Sequence, residues 1–222
     1  MDDGKMKTGS LSVLATALAM LAAGGALSQG NSDSISKADR TAMIASCAVC
    51  HGGSGEGNEA RSAPRLAGLD ADYIERQLDL FATGKRGTAR DDTFGPQMYV
   101  IAQSLQPADR KAASGHYAST EVPSSPLTLD QTLAGQRGKQ AYETCATCHG
   151  ENGMGNPDIG APRIAGQADW YLLASLEAYH SGARGYDDED VPGQQMRMAL
   201  DGVDRSEFKA IAAYVASLGR DD

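Results

Sequence analysis

Large rings are scarce in this chain of 222 residues: one Trp, three Phe and eight Tyr make up 5% of it. Few rings are available to build a core, whereas 26 Gly mark places where backbone must approach something closely. Cysteine is scarcer still. There are four, all within two pentapeptides, C-A-V-C-H at 47–51 and C-A-T-C-H at 145–149. Apolar–polar alternation of useful length is absent, which leaves no strand pattern. Positive charge is also short: the formal net charge is −9, and so acidic a chain is a poor partner for nucleic acid.

Only one long hydrophobic run is present, LSVLATALAMLAAGGAL at 11–27. Lys5 and Lys7 precede it, and small residues around Ala26 and Ser28 close it. This is the pattern of a secretory signal peptide, expected over residues 1–28. The run is short for a membrane span and rich in Ala and Gly, so cleavage is preferred to a retained anchor. The expected compartment is the periplasm, with membrane anchoring through an uncleaved segment as the alternative.

Export frames the cysteine question. Four thiols in an oxidising compartment could form two disulfides. A redox C-x-x-C pair would want a strand–helix setting that neither copy shows, and a structural zinc would leave both histidines unexplained. C-x-x-C-H is the attachment signature of c-type haem. The thiols of Cys47 and Cys50, and of Cys145 and Cys148, would add across porphyrin vinyl groups. His51 and His149 would then lie beneath an iron. Two covalently bound haems are expected.

An internal repeat supports this. At an offset of 98, Cys145, Cys148 and His149 fall on Cys47, Cys50 and His51. A-P-R-I-A-G (161–166) falls on A-P-R-L-A-G (63–68), Tyr171 on Tyr73, G-A-R-G on G-K-R-G, and G-Q-Q-M on G-P-Q-M. Met98 and Met196 are the only methionines among the eight that recur in register. Thioether sulfur is a soft ligand that favours ferrous iron, so these two are the expected sixth ligands. Met198 is the rival of Met196, but its counterpart is Val100. Met43 and Met154 are expected to pack or lie in loops, and His116 and His180, which do not recur, are expected to play no part.

Each half resembles a class I cytochrome c domain, and the tandem resembles a dihaem cytochrome of the c4 type. The resemblance is carried by CAVCHGGSGEG, APRLAG, DYIERQLDLFATGKRG and GPQM, then by CATCHGENGMG, APRIAG, WYLLASLEAYHSGARG and GQQM. It implies an all-α fold of two tandem domains, each wrapped around its haem. It implies His51 and His149 as proximal ligands, Met98 and Met196 as distal ones, and Pro64 and Pro162 as carbonyl acceptors for the histidines' other N–H. The expected domains are 29–118 and 131–222, joined by a Ser/Pro-rich linker at 119–130.

Helix signals agree. Ser36 with Asp39 opens a helix reaching Cys50, and a comparable one is expected from about Leu133 to Cys148. Asp70 caps a helix presenting Tyr73, Ile74, Leu78 and Phe81, stopped at Gly84. Its duplicate presents Trp170, Leu173, Leu176 and Tyr179. Asp204 and Glu207 cap a last helix bearing Phe208, Ile211 and Val215. Gly138 suits a helix crossing in the second half, where the first half offers Ala38 or Ala42. The glycines after each histidine are expected to wrap a flat macrocycle.

Residues 29–122 hold ten basic and twelve acidic side chains, whereas 123–222 hold eight and fifteen. The D-D-E-D run at 187–190 reads either as a solvated loop or as an acidic edge steering a basic redox partner. The expected function is a periplasmic dihaem electron carrier, not an enzyme, working between respiratory redox proteins on the reductase or oxidase side. Peripheral association with a membrane is compatible with this. Alternatives are the haem subunit of a periplasmic dehydrogenase, such as a flavoprotein sulfide dehydrogenase, or a dihaem peroxidase or thiosulfate-oxidising cytochrome. Either enzyme would need an open or differently ligated iron, which two matched Met ligands oppose.

Overall fold

The first described helix shows how the sequence sets its own boundaries. Ser36 accepts the Asp39 amide at 3.2 Å and donates to the Asp39 carboxylate, opening α1, Lys37–His51. In this computed structural model the described residues are 1–2, 36–121 and 125–220. The expected signal segment lies outside them apart from Met1 and Asp2. No helix among the described residues is long and apolar enough to cross a membrane.

Three more helices complete the first half: α2 (Ala71–Ala82), α3 (Gly95–Gln103) and α4 (Pro107–Ala118). Asp70 caps α2 by accepting the Tyr73 amide at 3.1 Å. Gly84, at φ +76°, turns the chain away beyond its end. Ile74, Leu78 and Phe81 are buried along one face of α2. With Leu69, Ala113 and Tyr117 close by, α2 packs on both α3 and α4 while α1 lies against α4.

The second half repeats the order with α5 (Gln136–His149), α6 (Asp169–Ser181), α7 (Val191–Ala199) and α8 (Phe208–Ser217). Its core joins Tyr142, Leu176, Tyr179, Leu200, Phe208, Ile211 and Val215. No strand occurs among the described residues; the only pairings outside helices are two isolated bridges, Asn58–Ala63 and Asn156–Ala161.

Three expectations change. The helix expected from Leu133 is broken at Gly135, whose φ of −64° and ψ of −148° lie outside the helical range. A 3₁₀ turn at Gln131–Ala134 precedes it. Asp204 caps a 3₁₀ turn, Arg205–Glu207, that leads into α8 rather than α8 itself. The stretch expected to be a plain linker is fastened in its second part. Asp169, fully buried, accepts the Thr128 and Leu129 amides at 2.7 Å each, and the Ser125 carbonyl accepts from Arg220 at 2.6 Å.

Gly138 sits where α5 crosses α8. A Cβ there would lie 2.6 Å from the Ala210 carbonyl and 2.8 Å from Tyr214 Cβ. Gly138→Leu should therefore cost about 1–3 kcal/mol or more through overpacking. Gly115, inside α4, would meet nothing within 4 Å. There Ala should gain about 0.5–1 kcal/mol of helix propensity. Thermal melts of the two variants should move in opposite directions.

Candidate functional site

Each C-x-x-C-H motif forms the last turn of its helix, α1 or α5, so thiols three residues apart share one face and the histidine ends the helix. His51 and His149 are buried. Nδ1 of His51 lies 2.8 Å from the Pro64 carbonyl, and Nδ1 of His149 lies 2.9 Å from that of Pro162. A carbonyl only accepts, so Nδ1 carries the proton and Nε2 keeps its lone pair. Burial pushes both imidazoles below the ordinary histidine range, opposed by the proline contact.

The proline carbonyls are placed by the loop that precedes them. Leu66 and Ala67 both donate to the Gly55 carbonyl, and Ile164 and Ala165 donate to that of Gly153. Gly57, at φ +92°, and Gly155, at φ +85°, let the two strands of this loop meet. A Cβ on either would fall 2.7 or 2.6 Å from the amide nitrogen of Arg65 or Arg163. These glycines press on the A-P-R segment, a tighter constraint than the macrocycle contact expected of them.

Met98 and Met196 lie on α3 and α7, helices that no periodicity announced. Asp92 accepts the Gly95 amide at 2.7 Å and Asp190 accepts that of Gly193 at 3.1 Å, and the two acids are repeat partners. Gly87 and Gly185 pack so tightly on the carbonyls of Gly95 and Gly193 that a Cβ would come within 2.7 and 2.4 Å. This explains why G-[KA]-R-G and G-[PQ]-Q-M recur together: one glycine seats the start of the methionine helix on the other.

Both methionines, both histidines and all four cysteines line one continuous cavity of about 400 Å³ that runs through the two halves. Leu69, Leu78, Leu105, Ile164, Leu172 and Leu200 supply apolar wall. The four thiols are unpaired, and burial pushes those of Cys47 and Cys145 up. Met198 points away, 62% exposed. Met43 packs on the first core, Met154 is exposed in a loop, and His116 and His180 are exposed against Tyr117 and Phe208.

The cytochrome c family model matches this chain twice, over residues 35–116 and 135–219. The chain belongs to the cytochrome c family. Among relatives of this cytochrome, the thiosulfate dehydrogenase electron acceptor of Stutzerimonas stutzeri (strain A1501) is 34% identical, over 78% of this chain and 79% of that protein. Cytochrome c4 of Pseudomonas aeruginosa is 27% identical, over 80% and 86%. The solved cytochrome c4 of Acidithiobacillus ferrooxidans superposes with a TM-score of 0.66 at 28% identity, over 78% of this chain and 99% of that one. The cytochrome is thus an all-α tandem of two class I domains that carries two covalently bound c-type haems and transfers electrons. Its residues fit those groups: in each half a free thiol pair, an imidazole with an available nitrogen and a thioether line this cavity together.

The D-D-E-D run divides. Asp190 is buried as the α7 cap, Glu189 pairs with Lys85, and Asp188 and Glu189 are exposed. The run thus holds two exposed acids, Asp188 and Glu189, one half-buried acid, Asp187, which accepts the Glu189 amide at 3.0 Å, and one structural acid, Asp190. Asp190→Ala should cost about 1–2 kcal/mol, the range for a lost N-cap. Asp188→Ala should stay within about 0.5 kcal/mol. Denaturant titration followed by haem absorption separates the two.

Proposed function

We propose that this cytochrome is a periplasmic carrier that accepts and passes single electrons, in which His51 and Met98 would hold the first iron and His149 and Met196 the second. Cys47 and Cys50, and Cys145 and Cys148, would hold the porphyrins through thioether bonds. One observation carries the reading: in each half an imidazole and a thioether line the same cavity beside the thiol pair. Each bound haem supplies an iron that changes oxidation state by one electron. The proline carbonyl fixes the tautomer and orientation of each imidazole and raises its basicity as a ligand. The capped helices α3 and α7 hold the methionine sulfurs, whose softness favours the ferrous state. Each iron would be held by both an imidazole and a thioether, which opposes peroxide or oxygen chemistry.

The partners are other redox proteins: a reductase or dehydrogenase as donor and an oxidase as acceptor. Likeness to a thiosulfate dehydrogenase electron acceptor favours, as a second reading, a donor that oxidises thiosulfate. Asp187, Asp188 and Glu189 would steer a basic partner towards the second half.

Met98→Ala and Met196→Ala should each remove about half of the methionine–ferric charge-transfer absorption and let one haem per chain bind cyanide. Cyanide binding by the parent protein, or full absorption in both variants, defeats the ligand assignment. Neutralising Asp187, Asp188 and Glu189 together should slow reduction by the physiological donor about tenfold at low salt and flatten its salt dependence. Stopped-flow mixing with a thiosulfate dehydrogenase and thiosulfate tests donor and steering at once.

A further inference from the structure

Hydrogen bonds cross the join between the two halves. Arg76 donates to the Gly160 carbonyl at 2.8 Å, Arg184 to the Tyr73 hydroxyl at 2.9 Å, and the Arg65 guanidinium to the Ala165 carbonyl at 2.8 Å. One further contact leads to His51. Gln167, 4% exposed and two residues before α6, pairs with the backbone of Arg65. Its Oε1 accepts the Arg65 amide at 3.1 Å, and its Nε2 donates to the Arg65 carbonyl at 2.9 Å. This is the two-point exchange that a neighbouring antiparallel strand would make.

The partners of Gln167 fix which way its amide points. Oε1 also accepts the Ala168 amide at 3.0 Å, so a turned-over side chain would set its NH2 against two N–H groups and its oxygen against a carbonyl. The amide nitrogen of Arg65 and the carbonyl of Pro64 belong to one peptide group, and that carbonyl lies 2.8 Å from His51 Nδ1. A continuous chain therefore runs from His51 Nδ1–H through Pro64 C=O and Arg65 N–H to Gln167 Oε1, out of the first half and into the second. A peptide group conjugates its carbonyl with its nitrogen, so a partner that accepts the Arg65 proton leaves more negative charge on the Pro64 oxygen. That oxygen then draws harder on the Nδ1 proton and makes Nε2 the stronger donor. The first half offers no matching group to His149, because the repeat position of Gln167 is Leu69, a buried apolar side chain.

We infer that Gln167 is a positioning residue for the iron of the opposite half: through the Pro64–Arg65 peptide it strengthens His51 as a ligand and lowers the reduction potential of the first haem. The inference rests on His51 being the ligand proposed above. A more basic imidazole favours the ferric state and so opposes the methionine sulfur, which favours the ferrous one. The two iron sites thereby differ by one side chain supplied from across the join, and separating the halves would withdraw it.

Three variants of the holoprotein test this. Gln167→Met keeps the side-chain length and loses the amide, whereas Gln167→Glu keeps an oxygen able to accept from Arg65. Tyr186→Phe is the control, since it removes the Thr88–Tyr186 bond across the join without touching Gln167 or Arg65. The Nδ1–H resonances of His51 and His149 are read in the reduced state, and redox titration followed by NMR gives the two midpoint potentials separately. Gln167→Met should move the His51 proton to higher field and raise the first potential, with His149 and the second potential in place. Gln167→Glu should leave the first potential at or below that of the parent, and Tyr186→Phe should change neither resonance. A first potential raised by both Gln167 variants, or a His51 resonance in Gln167→Met that matches Tyr186→Phe, overturns the inference alone. If Gln167→Met is recovered without two haems, Gln167→Glu decides by the same sign. Fewer than two haems in the parent protein, or His51 ring protons without the shift that a haem ring current imposes, overturn the ligand reading beneath it.

Discussion

An imidazole presents a metal with a well-defined lone pair only when its other nitrogen is committed elsewhere. In both halves that commitment is made by a proline carbonyl, at 2.8 Å for His51 and 2.9 Å for His149. Much of the local architecture serves this contact. The loop carrying each proline is bonded to a glycine carbonyl, Gly55 or Gly153. It is pressed from behind by Gly57 or Gly155, at positions where a Cβ has no room. Replacing such a glycine would move a carbonyl, then a ring, and only then the iron's environment.

The methionine side is built by a different device with the same economy of parts. A short helix of nine residues is fixed at its start, by Asp92 or Asp190, and its first glycine is clamped against the chain following α2 or α6. Histidine and methionine thus approach the cavity from independent elements, each locked by local bonds. Rigid packing of this kind leaves both side chains little room to move.

Residues proposed to hold the haems were the most legible in the sequence. An attached porphyrin demands fixed spacings, and a tandem copy at an offset of 98 exposes them, so Cys47, His51, Pro64 and Met98 could be paired with Cys145, His149, Pro162 and Met196. Helix ends announced by Ser36, Asp70 and Gly84 were legible for a similar reason, since caps are local. The helices α3 and α7 were not. They are short, carry Gly and Pro in their first turn, and the cap of α7 hides in a run of four acids whose pattern cannot say which one is buried. The break at Gly135 and the anchoring of Ser125, Thr128 and Leu129 depend on contacts tens of residues away. Arg65, Arg76 and Arg184 posed the hardest problem. Arg184 repeats in register with Arg86, but which side chain each would face across the join is decided only by docking.

The reciprocity of that join has a consequence for ancestry. Arg86 of the first half donates to Tyr171 of the second at 3.3 Å, and Arg184 of the second donates to Tyr73 of the first. Both donors and both acceptors are equivalent positions of the repeat. Thr88 and Tyr186, also equivalent, bond to each other at 2.8 Å, as residues on a pseudo-twofold axis must. This is an isologous contact, the kind two identical subunits make when one surface is complementary to itself. The join therefore has the form of a homodimer interface retained within a single polypeptide.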